Sequence, residues 1–228
     1  MIQKEEANQL GFKQGSVAVL VHSGSRGLGG VIGDKWHHQI LTDPEEQLRY
    51  RGDLIGAVRY AQANRFVLAW IALEALGSAR PDRVGGGFDL VHNHVISDVI
   101  SDVPMWIHRK GAAPALKGQP TVVLGSRGAR SWVMEGRGHK DSLCSVAHGA
   151  GRRMGRSEAL AKLKPRFKRD SLYRTKLGGH VICDQHDLLY EEHPKVYKSI
   201  ETVIQSLEEE GAADRLFALE PMVTVKRV

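Results

Sequence analysis

The stretch "SVAHGAGRRMGR" (145–156) places His148 ahead of three glycines and three arginines, and it runs straight into "GRSEALAKL" (155–163). The second segment reads as a helix, whereas the segments before it, "TVVLGS" (121–126) and "SWVMEG" (131–136), are short and strand-like. Strands and helices so interleaved predict a mixed α+β fold. The turn itself has two readings. It is either a loop with a solvated basic face, or an imidazole set beside backbone N–H groups and guanidinium forks, which is how proteins hold phosphates.

Composition narrows the choice of class. The chain has 228 residues, 42% hydrophobic and 25% charged, which suits a water-exposed globular protein with one sizeable core. No apolar run approaches a membrane span, and the start "MIQKEEANQLGF" is too polar and acidic for a secretory or transit signal. Two cysteines, Cys144 and Cys183, make no disulfide framework, so a reducing cytoplasm is the expected compartment. The net charge of +6 tolerates polyanions. More telling is the clustering of Arg127, Arg130, Arg137, Arg152, Arg153 and Arg156 beside glycines.

Working outward, "SVAVLVH" (16–22) predicts a strand entering the glycine-rich loop "SGSRGLGG". "TDPEE" (42–46) starts a helix with Thr42 or Asp43 as cap, continuing to about Gly77 with a break near Gly52. Its apolar stripe, Phe66, Trp70, Leu73 and Leu76, is expected to belong to the core rather than to a cofactor site. "FDLVHN" (88–93) and "MWIHRKG" (105–111) predict strands, "HPKVYKSIETVIQSLEEEG" (193–211) a helix stopped by Gly211, and "LFALEPMVTVKRV" (216–228) a closing strand. No repeat or linker interrupts the chain, so residues 1–228 are expected to form one domain.

Three loops combine glycine with arginine: "HSGSRGLGG" (22–30), "LGSRGAR" (124–130) and "HGAGRR" (148–153). None matches the P-loop or the dinucleotide fingerprint, but together they favour a phosphorylated ligand. His22 ends a strand-like run, and His92 and His94 alternate, so on a strand they would share a face. No CxxC or HExxH spacing marks a metal site, and His37 and His38 read as surface residues. His148 could be metal ligand, acid/base or nucleophile, and spacing does not choose among these.

Taken in order, "VHSGSRGLG", "DLVHN", "HRKGA", "GSRGARSWV", "AHGAGRRMGR" and "TVKR" resemble the RtcB family of GTP-dependent RNA-splicing ligases, from about Ile2 to Arg227. The resemblance implies an RtcB-type α+β domain, with GTP and manganese (Mn2+) as cofactors. The implied activity joins RNA with 3′-phosphate or 2′,3′-cyclic phosphate ends to RNA with 5′-hydroxyl ends. It implies that His148 is the guanylylated nucleophile and that His22 and His92 are metal ligands. Asn93, Ser126, Ser131, Gly149, Gly151, Arg152 and Lys226 match nucleotide-contacting positions, with Lys226 at the guanine end; Arg109 and Lys110 match a basic motif near the site. The family's aspartate–cysteine and asparagine–histidine–phenylalanine metal motifs have no match here. Gly155 stands for a common serine and Leu124 for a usual proline. The resemblance therefore implies a C-terminal portion of such a ligase, incomplete at its N-terminus. With two imidazoles alone, manganese binding is expected to be weak. The alternative is a non-catalytic module that binds guanine nucleotide or RNA, or a decayed fragment.

Overall fold

The computed structural model describes residues 4–100 and 102–226. Mixed α+β architecture is what it shows, as the sequence predicts. The chain divides into two compact units, Lys4–Lys110 and Gly111–Val228, the second described as far as Lys226. Arg227 and Val228 of the expected closing strand, and Ile2 at the start of the matched region, lie outside the described residues.

The amino-terminal unit holds helices α1 (Lys4–Gln9), α2 (Arg26–Trp36) and α3 (Pro44–Ala75), then strands β1 (Asn93–Ile100) and β2 (Val103–Lys110). α3 starts where expected: the Asp43 side chain accepts from the Glu45 N–H at 3.2 Å, and Pro44 occupies the first turn. It does not break at Gly52, because good helix formers on both sides carry the ladder through. α2 corrects the sequence expectation of a loop. Its glycines are weak helix formers, but Lys35 Nζ and Trp36 Nε1 both donate to Asp53 Oδ2 on α3 at 2.8 Å, a tertiary tie that outweighs propensity. Residues 16–22 form no strand ladder, so that expectation also fails. β1 begins only at Asn93, which leaves most of the expected 88–93 strand, His92 included, outside it. β1 and β2 pair antiparallel, with Asn93 opposite Lys110 and Ser97 opposite Trp106.

The carboxy-terminal unit is built on burial. β3 (Ala112–Pro114) pairs with β6 (Ser145–Ala147), and β4 (Pro120–Val123), β5 (Ser131–Gly136) and β8 (Ala213–Leu219) form an antiparallel sheet in that order. α4 (Arg156–Leu163), β7 (His180–Cys183), α5 (His186–Glu191), α6 (Ile200–Glu209) and β9 (Val223–Lys226) complete it, with β7 parallel to β9. α6 buries Ile200 and Ile204 over Val123 and Met134 of the sheet. A second cluster joins Leu163, Leu172, Val181, Leu189 and Val196. α6 is shorter than the sequence predicts: Pro194–Val196 is a separate 3-10 turn, and Ser199 caps the helix by accepting from the Thr202 N–H. The closing segment is two strands, because "EPM" (220–222) breaks the run.

Candidate functional site

In the amino-terminal unit, His22 and His92 meet. Their Nε2 atoms lie 3.0 Å apart and their rings are edge to face, 5.0 Å between centroids. Neither residue lies in regular secondary structure, so something else must hold the two segments. Arg65 on α3 does so: Nη1 donates to the Ser23 carbonyl at 3.0 Å, while Nε and Nη2 grip Asp89 at 2.5 and 2.7 Å. Asn64 adds bonds to Ser23 Oγ and the Gly24 carbonyl. Burial pushes the Asp89 carboxyl up, but the Arg65 fork and charge and a Gln62 bond leave it below its ordinary value. Two imidazole nitrogens at this separation suit adjacent positions on one divalent ion, and imidazole is a common ligand of such metals.

β2 sorts the basic motif by alternation. Ile107 and Arg109 point inward, 2% and 5% exposed, whereas His108 and Lys110 point out. Arg109 Nη1 faces His94 Nε2 at 3.4 Å, and His94 is held below its ordinary pKa first by burial, then by the Arg109 and His92 charges. His94 thus serves Arg109, while His92 serves His22. Lys110 and Asn93 stand opposite each other and line a cavity of about 830 Å³ within this unit, as do His22 and His92.

In the carboxy-terminal unit, His148 follows β6 directly. Its ring Nδ1 lies 2.5 Å from the Gly111 carbonyl, and its main-chain N–H donates to the same oxygen at 3.3 Å. A carbonyl only accepts, so Nδ1 carries a proton, and in the neutral ring the lone pair then falls on Nε2. Gly111 has φ +70°, and a Cβ there would meet the His148 ring at 3.2 Å. After His148, a Cβ on Gly149 would meet the Leu124 carbonyl at 3.0 Å, and Gly151 has φ +71°. The Ala150 and Arg153 N–H groups donate to the carbonyls of Leu124 and Val196, which removes two donors from the expected anion nest. Ser131 Oγ and Ser126 Oγ accept from the Gly125 and Gly128 N–H groups, bracing the Gly-Ser-Arg-Gly turn.

Arg152 and Lys226 converge on one carboxylate that the sequence did not flag. Glu192 accepts from Arg152 Nη1 at 3.2 Å and from Tyr197 Oη at 2.5 Å, with Lys226 Nζ at 3.5 Å. Burial pushes Glu192 up, but Tyr197, Lys226 and Arg152 together hold it below its ordinary value. Tyr197 is pushed up to about 12, by burial first and then by Glu192. Tyr197 follows the Pro194–Val196 turn in extended backbone and forms an isolated bridge with Arg152. The other arginines are largely committed within the protein. Arg127 is buried and donates to the Leu189 carbonyl at 2.6 Å, Arg130 pairs with Glu220, Arg137 with Asp214, and Arg156 with Glu191.

Residues 1–227 match the family described as "tRNA-splicing ligase RtcB". The chain is 36% identical over 213 residues to RNA-splicing ligase RtcB2 of Escherichia coli strain ATCC 25922, covering 91% of this chain and 55% of that protein. It is 29% identical to RNA-splicing ligase RtcB of E. coli K12, covering 92% of this chain and 56% of the relative. The tRNA-splicing ligase RtcB of Methanocaldococcus jannaschii is 27% identical, with 99% of this chain and 28% of that protein covered. The chain spans about half the length of its E. coli relatives.

Proposed function

Because this chain belongs to the RtcB family of tRNA-splicing ligases, we propose that it is the guanylate-transferring part of an RNA ligase. It acts on RNA ends bearing a 3′-phosphate, or a 2′,3′-cyclic phosphate once water has opened it, and joins them to 5′-hydroxyl ends. GTP is consumed as a substrate. The observation that carries this reading is the bond between His148 Nδ1 and the Gly111 carbonyl, which leaves Nε2 as the ring nitrogen for attack when the imidazole is neutral.

Nε2 attacks the α-phosphorus of GTP; the N–P bond forms as the bond to pyrophosphate breaks, and pyrophosphate leaves. The ring gains positive charge while keeping its Nδ1 proton, and the Gly111 carbonyl faces that charge. An oxygen of the RNA 3′-phosphate then displaces His148 from phosphorus, restoring neutral imidazole and leaving GMP on the RNA end. Finally the 5′-hydroxyl oxygen attacks the RNA phosphate, GMP departs, and the hydroxyl proton passes to solvent. Ser126, Ser131, Gly149, Gly151 and Arg152 orient the nucleotide, with Lys226 at its guanine end. Asn93 keeps the nucleotide-contacting role that the resemblance implies, Lys110 serves the RNA phosphate, and buried Arg109 positions His94. His22 and His92 would hold a divalent metal ion, which when bound supplies positive charge to a phosphate under attack.

The test incubates the chain with α-labelled GTP and manganese, alone and fused behind the portion of the 36%-identical relative that the match leaves uncovered. Acid-labile label is expected on the fusion, faint on the chain alone, and lost with His148→Ala. Label surviving that substitution, or no label on the fusion, overturns the reading.

A further inference from the structure

We propose that the open face of β2 is a track for single-stranded RNA that leads one strand toward the histidine pair, with a base stacked at Trp106. The proposal rests on the RNA-ligase reading and adds Trp106 and His108, to which that reading gives no role.

Alternation along β2 puts Trp106, His108 and Lys110 on one face and buries Ile107 and Arg109 on the other. The register sets Ser97, Val95 and Asn93 of β1 directly opposite those three, so both strands contribute to the same face. Trp106, His108 and Lys110 line the 830 Å³ cavity together with His22 and His92. Successive residues on this face lie roughly 6.6 Å apart, close to the reach of one extended nucleotide. An indole at one end and an ammonium beside the metal-ligand histidines at the other form an aromatic platform followed by a phosphate contact.

The Arg51 guanidinium lies 4.4 Å from the Trp106 ring centroid and pins it from one side. Trp106 nonetheless remains 46% exposed, which leaves indole surface for a partner. Charge decides which partner. The lining includes Arg26, Arg51 and Lys110, besides Arg65, which Asp89 already holds, and among the described residues no carboxylate lines it. A polypeptide partner would bring backbone and apolar side chains with no call for that imbalance; a polyanion with flat bases meets both the charge and the indole.

The experiment measures binding of the full chain to a labelled, 5′-hydroxyl, single-stranded uridine oligomer of about ten nucleotides, alongside an abasic oligomer of equal length. Trp106→Ala should weaken uridine binding about ten-fold, with Trp106→Phe recovering most of the loss as a check on folding. The abasic strand should bind wild type and Trp106→Ala alike. Lys110→Gln should weaken both strands and reduce the slope of affinity against salt by about one unit. If wild type binds RNA but Trp106→Ala leaves affinity unchanged, or weakens both strands equally, the track is wrong and the ligase reading stands. If wild type binds neither strand, the two fall together. If Trp106→Ala alters self-association or protein capture while RNA affinity holds, the face belongs to a protein and the track is overturned.

Discussion

The two units reach order by different means. The carboxy-terminal unit has two clusters of fully buried side chains, with Val123, Val133, Met134, Leu189, Val196 and Ile204 inaccessible to solvent. The amino-terminal unit has a 32-residue helix in which Ala57 and Ala61 alone are buried, while Phe66 is 69% exposed and Trp70, Ile71 and Leu48 stand open. Its geometry rests on polar ties instead: Asp53 to α2, Arg65 to both histidine-bearing segments. A hydrophobic contact is non-directional, so a unit built on burial tolerates modest polar change. A unit built on forks and carboxylates loses its geometry when one partner is removed.

The largest expected effect separates the two directly. Ile204→Ala should cost about 2–5 kcal/mol in chemical denaturation, the transfer term plus the cavity left in a packed core. Phe66→Ala should stay within about 0.5 kcal/mol, because its ring already meets water. Equal costs would break the comparison and show that α3 is covered in solution. Next in size, Arg65→Ala should cost about 1–3 kcal/mol, since it removes charge-assisted bonds and leaves Asp89 poorly partnered. Its sharper readout is local: amide exchange over residues 22–24 should accelerate and the His22–His92 ring contact should be lost by NMR. Arg65→Lys should not restore either, because an ammonium lacks the fork.

The same contrast explains what the sequence made legible. In the carboxy-terminal unit, β4, β5, α4 and the Gly211 stop follow from periodicity and caps, because burial imprints its period on the chain. In the amino-terminal unit, α2 looks like a loop, since its glycines hide a helix that is tied to α3 through Asp53. The 16–22 run looks like a strand because it is rich in Val and Leu, yet among the described residues no partner strand forms a ladder with it. His22, His92 and His148 were singled out beside glycines or by alternation, but their roles came from the family resemblance rather than from those neighbours. Arg65 and Glu192 were not singled out, because each acts across tens of residues of sequence; Tyr197 bonds Glu192 only five residues away, but neither carries a local signature.

The smallest effect is a pH dependence confined to the carboxy-terminal unit. His193 packs on Phe167 at 4.5 Å between centroids, and its Nδ1 accepts from the Lys195 N–H at 3.1 Å. Burial, then the charges of Arg127, Lys195 and Lys176, push it down to about 4 from 6.5. With the folded value below the unfolded one, the fold favours neutral imidazole. Its contribution is complete above 6.5 and is lost as pH falls through about 4. The ring is half-buried, so solvent screening reduces the effect to about 1 kcal/mol or less. Asp89 and Glu192 are also lowered, but from 3.8 and 4.5, so their losses lie at or below the foot of this window. His193→Asn keeps an acceptor for Lys195 and removes the titration. Residue-resolved amide exchange should then show β7 and α5 losing less protection between pH 6.5 and 4, while α3 follows its wild-type profile. An α3 profile flattened to the same degree would mean that the two units share one source of stability, and the comparison would have to be abandoned.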